Sequence, residues 1–391
     1  MISYEEAFSL VMNAVRVLPS ESVPLADACG RVLAQDVAID IDMPPFNKSA
    51  MDGYACRKQD LPGPLRVVEV IQAGTVPENT IGAGDCAKIM TGAKVPEGAD
   101  WVVMVEECDV RSDEKVLVTG PAAAAHICMQ GEDLAAGDIV LKRGTRLYPR
   151  HIALLAMAGS TAPYVARRPK VGVIATGNEL VEPGEKPGAC QIRNSNSWQI
   201  RAQMLESGAD VRYYGIVGDT EDALHRVMGQ ACDECDVILF SGGVSMGDYD
   251  FVPGIMAGRG MKILFDSIAM QPGKPTTFGM GDNVWAVGLP GNPVSTFLQC
   301  EILVKPMLAA LMGEAFTPPW CTRVLAETYK RKKTERAGWV PVREIGSGCV
   351  KPVPFHGSAH ISALADASGF MHMPIGVASF TEGEGVRVWL F

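Results

Sequence analysis

Short apolar segments alternate with helical patterns between residues 170 and 312, and this alternation constrains the fold more than any other feature. Residues 171–175, 211–217 and 237–240 are predicted strands, and residues 195–207 and 221–232 between them have the apolar spacing of helices. Strands that are joined through helices run parallel, because a parallel pair needs a long crossover connection. The sequence therefore predicts a three-layer α/β domain, with a mostly parallel sheet and helices on both faces.

The third predicted strand leads into a glycine-rich segment, Ser241-Gly-Gly-Val-Ser-Met-Gly-Asp-Tyr-Asp250. Glycines at the carboxyl end of a strand let a ligand approach the backbone, and they leave N–H groups free for an anion. The pattern differs from a P-loop and from a dinucleotide-binding fingerprint. It predicts a site for a phosphorylated ligand, and the alternative is a glycine-rich turn with solvated aspartates.

A carboxylate follows each of these three predicted strands. Glu179 follows residues 171–175, Asp219 follows residues 211–217, and Asp248 and Asp250 follow residues 237–240. Because the carboxyl ends of parallel strands lie along one edge of a sheet, these acids are expected to converge there. One acid after a strand is a common turn or capping residue, but three in register favour a shared cation site.

Two proline-framed loops belong to the same domain, Gln271-Pro-Gly-Lys-Pro275 and Leu289-Pro-Gly-Asn-Pro-Val-Ser295. Prolines stiffen a loop before a ligand binds, and glycines permit close approach to the backbone. The second loop opens a predicted helix that runs to about residue 312, and free N–H groups at a helix start favour an anion. Lys274 supplies a formal positive charge.

The rest of the chain predicts further regions. Residues 3–17 form a predicted helix with Ser3 as its cap, residues 150–165 another, and short β-type runs from about 50 to 145 indicate an all-β insert. The predicted domains are residues 1–49 with 141–168, an elongated helical and linking domain; 50–140, a β-rich insert; 169–316, the α/β domain; and 317–391, a C-terminal β-barrel domain.

The net charge of −10 argues against a general nucleic-acid or anionic-membrane binder. An anionic substrate must therefore be attracted by local lysines, arginines and backbone amides. The start of the chain does not resemble a signal peptide, and we expect no membrane-spanning segment. Eleven cysteines without a framework spacing indicate reduced thiols and a cytoplasmic location.

Seven motifs occur in the order that is typical of one family. They are Asn47-Lys-Ser-Ala-Met-Asp-Gly-Tyr-Ala55, Thr91-Gly-Ala-Lys-Val-Pro-Glu-Gly-Ala-Asp100, Gly131-Glu-Asp133, Thr176-Gly-Asn-Glu-Leu180, Ser241-Gly-Gly-Val-Ser245, Pro272-Gly-Lys-Pro275 and Pro290-Gly-Asn-Pro-Val-Ser295. Over essentially its whole length the chain resembles the molybdopterin molybdenumtransferases, the family of MoeA and of the E domain of gephyrin.

The resemblance implies a reaction and an assembly. Its substrates would be adenylylated molybdopterin and molybdate: molybdenum is placed on the dithiolene, the adenylate is cleaved, AMP leaves, and Mg²⁺ assists. It also implies a homodimer whose active site lies between the α/β domain of one subunit and the N-terminal segments of the other. A molybdopterin adenylyltransferase is the implied partner that delivers the adenylate.

The resemblance also assigns roles to residues. The implied catalytic residues are Asp52, Asp133, Glu179, Asp219 and Lys274, and the implied metal ligands are Glu179, Asp219 and Asp250. The implied substrate contacts are Thr91, Ser241, Gly242, Gly243, Ser245, Asp248, Pro290, Asn292, Ser295, Arg343 and Ser362. Without the resemblance, Asp52 and Asp133 would be interpreted as turn residues. Arg343 and Ser362 rest on a looser local match, and the alternatives are a surface arginine and a loop serine.

One position departs from the family pattern. Gln271 stands where the family often has a further basic residue, so Lys274 carries more of the electrostatic work or a substitute such as Arg343 contributes.

Two other functions compete with the transferase. One is a related enzyme that shares only the α/β domain, a molybdopterin adenylyltransferase or a nucleotide pyrophosphatase of the competence-damage type. The other is a non-catalytic scaffold.

Overall fold

Three large β-structures organise the computed structural model of the chain, which describes residues 1–112, 114–243 and 251–391. They are an inserted sheet, a central sheet and a C-terminal barrel. The predicted multidomain α/β fold, with a β-rich N-terminal region and a C-terminal barrel, is therefore confirmed. The predicted boundaries between the domains stay predictions.

The N-terminal helix α1 spans Tyr4–Ala14, and Ser3 caps it by accepting a hydrogen bond from the Glu6 N–H at 3.0 Å. Its buried face consists of Tyr4, Ala7 and Val11. The predicted helix was too long at its end, because the backbone becomes extended at Val15.

The inserted sheet has six strands, in the spatial order β4-β1-β3-β2-β6-β5. In chain order these strands are β1 (Gly53–Cys56), β2 (Pro64–Ile71), β3 (Asp85–Ile89), β4 (Trp101–Met104), β5 (Cys108–Ser112) and β6 (Lys115–Val118). The all-β insert predicted from the short β-type runs is present. Apolar side chains from this sheet form two clusters of their own, separate from the main core.

Short antiparallel pairs connect this insert to the rest of the chain. They join Lys48–Ser49 to Ile127–Cys128, Val37–Ala38 to Ile139–Leu141, and Ser20–Ser22 to Tyr164–Ala166. Helix α2 (Pro149–Met157) precedes the last of these strands. The predicted helix over residues 150–165 was too long, because Gly159 takes a φ of +69° and the chain turns there into a strand.

The central sheet contains six strands, in the spatial order β8-β7-β9-β12-β11-β10. Its elements in chain order are β7 (Lys170–Thr176), α3 (Asn196–Glu206), β8 (Asp210–Val217), α4 (Glu221–Glu234), β9 (Val237–Ser241), α5 (Val252–Gly258), β10 (Lys262–Ser267), β11 (Pro275–Met280) and β12 (Trp285–Leu289). The first four strands of the spatial order are parallel, as predicted. Strand β11 is antiparallel to both of its neighbours, β12 and β10, so the sheet is mixed.

The antiparallel direction of β11 determines where its first loop lies. Thr277 of β11 is opposite Gly288 near the end of β12, and Phe278 is opposite Val287. Strand β11 therefore begins at the edge where the four mutually parallel strands end. The loop before β11, which carries Lys274, consequently lies at the same edge as the loops that follow β7, β9 and β12.

A long helical segment, Pro293–Leu311, follows β12. It consists of α6 (Pro293–Gln299), a π-helical turn (Cys300–Val304) and α7 (Lys305–Leu311). The segment is long and apolar enough to cross a membrane, but 83% of its apolar stretch is buried inside the protein. That burial is the property of a core helix.

The C-terminal region forms a five-stranded barrel. Its strands are β13 (Trp320–Leu325), β14 (Ala337–Glu344), β15 (Cys349–Pro352), β16 (Gly369–Met373) and β17 (Gly385–Leu390), and pairing of β14 with β16 closes the ring. Met270–Gln271 from the α/β region adds to this barrel, because it pairs in parallel with Ala337 and Gly338 of β14.

One large core joins α1, the α/β region and the barrel. It includes Val173 and Leu239 of the central sheet together with Trp339 and Phe370 of the barrel. Tyr4 of α1 contacts Trp339 edge to face, with their ring centroids 5.3 Å apart. The α/β region and the barrel thus share buried apolar surface, which fixes the cleft between them.

Candidate active site

Two adjoining cavities lie at the carboxyl edge of the central sheet, between the α/β region and the barrel. The smaller has a volume of about 560 Å³ and the larger about 890 Å³. The residues that line both are Glu179, Ile192, Pro275, Gly291 and Asn292. We call the smaller the acidic cavity and the larger the basic cavity, after the side chains described next. Together they form one continuous cleft.

Glu179 and Asp219 both line the acidic cavity, as the order of the strands predicts. Asn178 holds Asp219 in place through a reciprocal pair of hydrogen bonds. Its N–H donates to Asp219 Oδ2 at 3.2 Å, and its Oδ1 accepts from the Asp219 N–H at 3.2 Å. A Cβ on Gly177 would lie only 2.6 Å from a carboxylate oxygen of Glu179, so glycine leaves room for this acid.

Gly242 and Gly243 form another wall of the acidic cavity, directly after Ser241 at the buried end of β9. Their φ angles of +96° and +67° favour glycine. A Cβ on either residue would lie 2.9 Å from an oxygen of Thr176. Backbone rather than side chains therefore faces the cavity here. The predicted contacts Ser245, Asp248 and Asp250 lie outside the described residues.

The acidic cavity has the donor chemistry that Mg²⁺ requires. Glu179 and Asp219 are hard oxygen donors, and neither forms an ion pair with any residue that the structure describes. The buried Thr176 hydroxyl beside them also has no hydrogen-bond partner there. Within the described ranges no cluster of three or more metal-binding side chains exists. Mg²⁺ commonly takes one or two protein carboxylates and completes its shell with water and substrate oxygens, so the residues present fit the cation.

The Pro290–Asn292 loop is fixed from two sides. The Asn196 side chain of α3 donates to the Gly291 carbonyl at 2.8 Å, and the Thr296 hydroxyl donates to the Pro290 carbonyl. Pro290 and Ser295 line the basic cavity, and Asn292 lines both. Ser295 is buried in the first turn of α6, where its hydroxyl can donate to an anion.

Lys274 is exposed within the basic cavity, and it has no ion-pair partner among the residues that the structure describes. Gln271 lines the same cavity and brings no charge. Lys274 is therefore the cation that the α/β region contributes to this side of the cleft.

The barrel supplies a cationic wall that the sequence analysis missed. Arg331, Lys332, Lys333 and Arg336 all line the basic cavity, whereas Glu179 is the single acid among the described residues of its lining. The signal was present as the run Lys330-Arg-Lys-Lys-Thr-Glu-Arg336. Such charge runs usually form a solvated surface, so composition alone does not indicate a site there. The cavity is therefore locally positive, although the chain as a whole has a net charge of −10.

Arg331 anchors this wall. Its guanidinium donates to the carbonyls of Val377, Arg336 and Pro374, each at 2.7 Å. Burial lowers the pKa of Arg331 from its ordinary value. Arg331 is thus engaged with the backbone, and it holds the adjacent Lys332 and Lys333 at the cavity.

A barrel loop around Ser358 completes the cleft. The Ser358 hydroxyl accepts from Asn292 Nδ2 at 2.9 Å, and the Ser358 carbonyl accepts from the Val294 N–H at 3.0 Å. Arg343 and Ser362 are exposed and line neither cavity, so their predicted substrate contacts remain without support from this geometry. Among the described residues of the C-terminal region, Ser358 is the serine that lines the cleft, and the sequence did not indicate it.

The N-terminal aspartates lie elsewhere. Asp52 Oδ1 accepts two hydrogen bonds from Thr91, from its N–H at 2.6 Å and from its hydroxyl at 2.8 Å. These bonds, the backbone bond first, lower the pKa of Asp52 from its ordinary value. Asp133 is exposed, and its N–H donates to the Met43 carbonyl at 3.0 Å. Asp52, Thr91 and Asp133 line neither cavity of their own chain.

Comparisons with known proteins cover the whole chain. Family models match residues 2–159 as the MoeA N-terminal region (domains I and II), residues 172–310 as a probable molybdopterin binding domain, and residues 323–391 as the MoeA C-terminal region (domain IV). The chain is 35% identical over 399 residues to a molybdopterin molybdenumtransferase of Staphylococcus epidermidis, covering 100% of this chain and 95% of the relative.

A Bacillus subtilis molybdopterin molybdenumtransferase is 33% identical over 407 residues, covering 100% of this chain and 94% of that protein. The crystal structure of a molybdopterin biosynthesis MoeA protein from Pyrococcus horikoshii OT3 superimposes with a TM-score of 0.87 at 29% identity, over 100% of both chains. The matches in sequence and in structure agree with the order of the motifs and with the cleft. The chain belongs to the MoeA family of molybdopterin molybdenumtransferases, which are enzymes of molybdenum cofactor biosynthesis.

Proposed function

We propose that the protein transfers molybdenum from molybdate to adenylylated molybdopterin and releases AMP. The observation that carries this proposal is the division of one cleft into an acidic cavity and a basic cavity. A substrate that is cleaved at a phosphoanhydride needs a cation, whereas an incoming oxyanion needs positive side chains. Membership of the family supports the same reaction.

The acidic cavity accommodates the adenylate in this proposal. Glu179 and Asp219, together with Asp250, are the proposed ligands of Mg²⁺, which when bound neutralises charge on the phosphoanhydride. The backbone at Gly242 and Gly243 lets phosphate oxygens approach. Ser241 and Thr176 offer hydroxyl groups at the same end of the sheet.

The basic cavity accommodates molybdate and the anionic groups of the pterin. Lys274 from the α/β region and Lys332 and Lys333 from the barrel have no ion-pair partner within the described part of the chain. Their charges therefore remain available to stabilise an oxyanion and the negative charge that develops on the phosphate. Ser295 adds a hydroxyl donor at the start of α6.

A second subunit is proposed to supply Asp52 and Asp133. Both aspartates are exposed and lie outside the cavities of their own chain, which supports a cleft completed by a partner copy.

The proposed location is the cytoplasm, which suits eleven cysteines that are all free. A molybdopterin adenylyltransferase is the proposed source of the substrate.

A reconstituted assay tests this function. The purified protein is incubated with adenylylated molybdopterin, molybdate and Mg²⁺, AMP is quantified by chromatography, and the product is used to activate an apo-molybdoenzyme. Wild type should release AMP and activate the enzyme, and Asp219→Asn and Lys274→Ala should retain only a small, still measurable fraction of both activities. Asp282→Asn, an exposed acid outside both cavities, is the matched control. Absence of AMP release by wild type would refute the proposal. In a parallel reaction with ATP and molybdopterin, formation of pyrophosphate would indicate an adenylyltransferase instead.

Mixing two inactive variants tests the shared site. If Asp52 acts on the cleft of a second subunit, a mixture of Asp52→Ala and Lys274→Ala chains forms hybrid dimers in which one cleft is intact. The mixture should then regain part of the wild-type activity after co-refolding or co-expression. A mixture that stays as inactive as its components would exclude sharing between subunits.

A further inference from the structure

The backbone next to Lys274 is held by one buried side chain, that of Gln299. Gln299 ends α6 and is completely buried. Its Nε2 donates to the Gly273 carbonyl at 2.9 Å and to the Met270 sulfur at 3.1 Å. The Thr276 hydroxyl donates to the same Gly273 carbonyl at 3.1 Å. The peptide that leads into Lys274 is thus fixed from the helix.

The fit between Gln299 and Gly273 is close. Gly273 has a φ of +105°, and a Cβ on it would lie 2.7 Å from Gln299 Nε2. The amide of Gln299 therefore occupies the space that any side chain at residue 273 would need. Loop and helix are complementary at this point, so a change at Gln299 is transmitted directly to the residue before Lys274.

Packing alone does not explain an amide at this position. Gln299 Oε1 is buried and has no hydrogen-bond partner among the described residues. A buried amide that satisfies one of its ends costs free energy, which an apolar side chain of similar length would avoid. Leu298, Cys300 and Ile302 beside it belong to the main apolar core. The donor end of Gln299 is therefore the part that contributes.

The helix around Gln299 is itself fixed. A π-helical turn, Cys300–Val304, begins directly after it and changes the direction in which successive side chains point. Buried Glu301 in this turn accepts from Gln203 of α3, and it forms an ion pair with Lys305 at 2.7 Å. These contacts hold the π-helical turn against α3, and they keep Gln299 aimed at the loop.

We infer that Gln299 is a positioning residue that sets the place of Lys274 in the basic cavity. The Lys274 side chain has no protein partner within the described residues, so only its backbone can be placed by the fold. Gln271 leaves Lys274 as the one cation of this loop, which makes its placement more important. The inference rests on the proposed function, because it assigns Lys274 to the oxyanion.

A double-mutant cycle tests the inference. Gln299→Met keeps length and removes the donor, and kcat and KM for molybdate are measured for this variant, for Lys274→Ala and for the double variant. Gln299→Met alone should lower kcat/KM by about tenfold to a hundredfold, because the rate falls steeply when a group in the site is misplaced. In the Lys274→Ala background it should have no further effect. Equal losses in both backgrounds would overturn the inference.

Two further measurements separate positioning from loss of stability. Thr277 lies in β11, and its buried hydroxyl has no partner among the described residues. Thr277→Val removes this hydroxyl and should leave both kcat/KM and the Tm close to those of wild type. Gln299→Glu can donate to Gly273 only while protonated, so its activity relative to wild type should fall as pH rises. A ratio that is independent of pH would also overturn the inference. Wild type without AMP release would instead refute the proposed function.

Discussion

Asn292 and Ser358 join the two walls of the cleft, because the side-chain amide of Asn292 donates to the Ser358 hydroxyl at 2.9 Å. Asn292 precedes α6 in the α/β region, and Ser358 belongs to a loop of the barrel. The bond therefore crosses between regions that lie 66 residues apart in the chain. It links the side of the cleft with the carboxylates to the side with the lysines.

Ser358→Ala should raise KM for adenylylated molybdopterin several-fold and leave kcat close to that of wild type. A hydrogen bond of this kind contributes about 0.5–1.5 kcal/mol, and its loss frees the barrel loop at the cleft. Ser362→Ala is the matched control, because Ser362 is exposed and lines neither cavity. A larger effect at Ser362 than at Ser358 would restore Ser362 as the substrate contact and contradict this geometry.

Lys332→Ala combined with Lys333→Ala should raise KM for molybdate and reduce its dependence on ionic strength. Both lysines line the basic cavity, and exposed charges attract an anion less strongly as salt screens them. Steady-state kinetics between low and high salt measure the effect. Lys330→Ala serves as the control, since Lys330 is exposed but outside the lining. If the control and the double variant behaved alike, the wall would not contact the substrate.

Thr91→Val should raise the pKa of Asp52 toward its ordinary value. Two hydrogen bonds from Thr91 lower this pKa, and the substitution removes the one from the hydroxyl. A lowered pKa means that ionised Asp52 stabilises the fold above the unfolded-state pKa, and that this contribution disappears as pH falls through the folded-state value. Stability should therefore decline at a higher pH in the variant. Carbon-13 NMR titration of labelled aspartate measures the shift, and an unchanged pKa would show that the backbone bond acts alone.

Gly242→Ala should lower both the Tm and the affinity for AMP in the presence of Mg²⁺. Its φ of +96° disfavours any side chain, and the added Cβ would lie 2.9 Å from the Thr176 carbonyl oxygen. We expect a loss of about 1 kcal/mol or more. Gly254→Ala is the control, because a Cβ at this helical position meets nothing within 4 Å. Calorimetry of folding and of nucleotide binding distinguishes the two variants.

The pattern of apolar residues predicted most of the fold, because strands and helices between residues 170 and 241 have clear periodicity. Helix α5 and strand β10 were missed. Val252–Gly258 is only seven residues long, and it precedes the chain reversal at Gly260. The antiparallel direction of β11 depends on its pairing with β12, which no local pattern contains. The predicted ends of α1 and α2 lie too far along the chain, because extended Val15 ends the first helix and Gly159 follows the second.

The candidate site was predictable to the extent that strand order determines which loops meet. Glu179 and Asp219 converge because β7 and β8 are parallel neighbours. The contribution of Lys332 and Lys333 requires the barrel to pack against the α/β region, and that depends on tertiary contacts such as Met270 with Ala337. The sequence alone does not separate Ser358 from Ser362, since only the packing of the barrel against the α/β region brings Ser358 to Asn292.

The shared core that contains Tyr4, Val173 and Trp339 has a consequence for cooperativity. Regions that bury apolar surface against one another lose it together, so the α/β region and the barrel should melt in a single calorimetric transition. The inserted sheet has its own apolar clusters and can unfold in a transition of its own. Both walls of the cleft therefore belong to one cooperative unit, although they come from topologically separate parts of the chain.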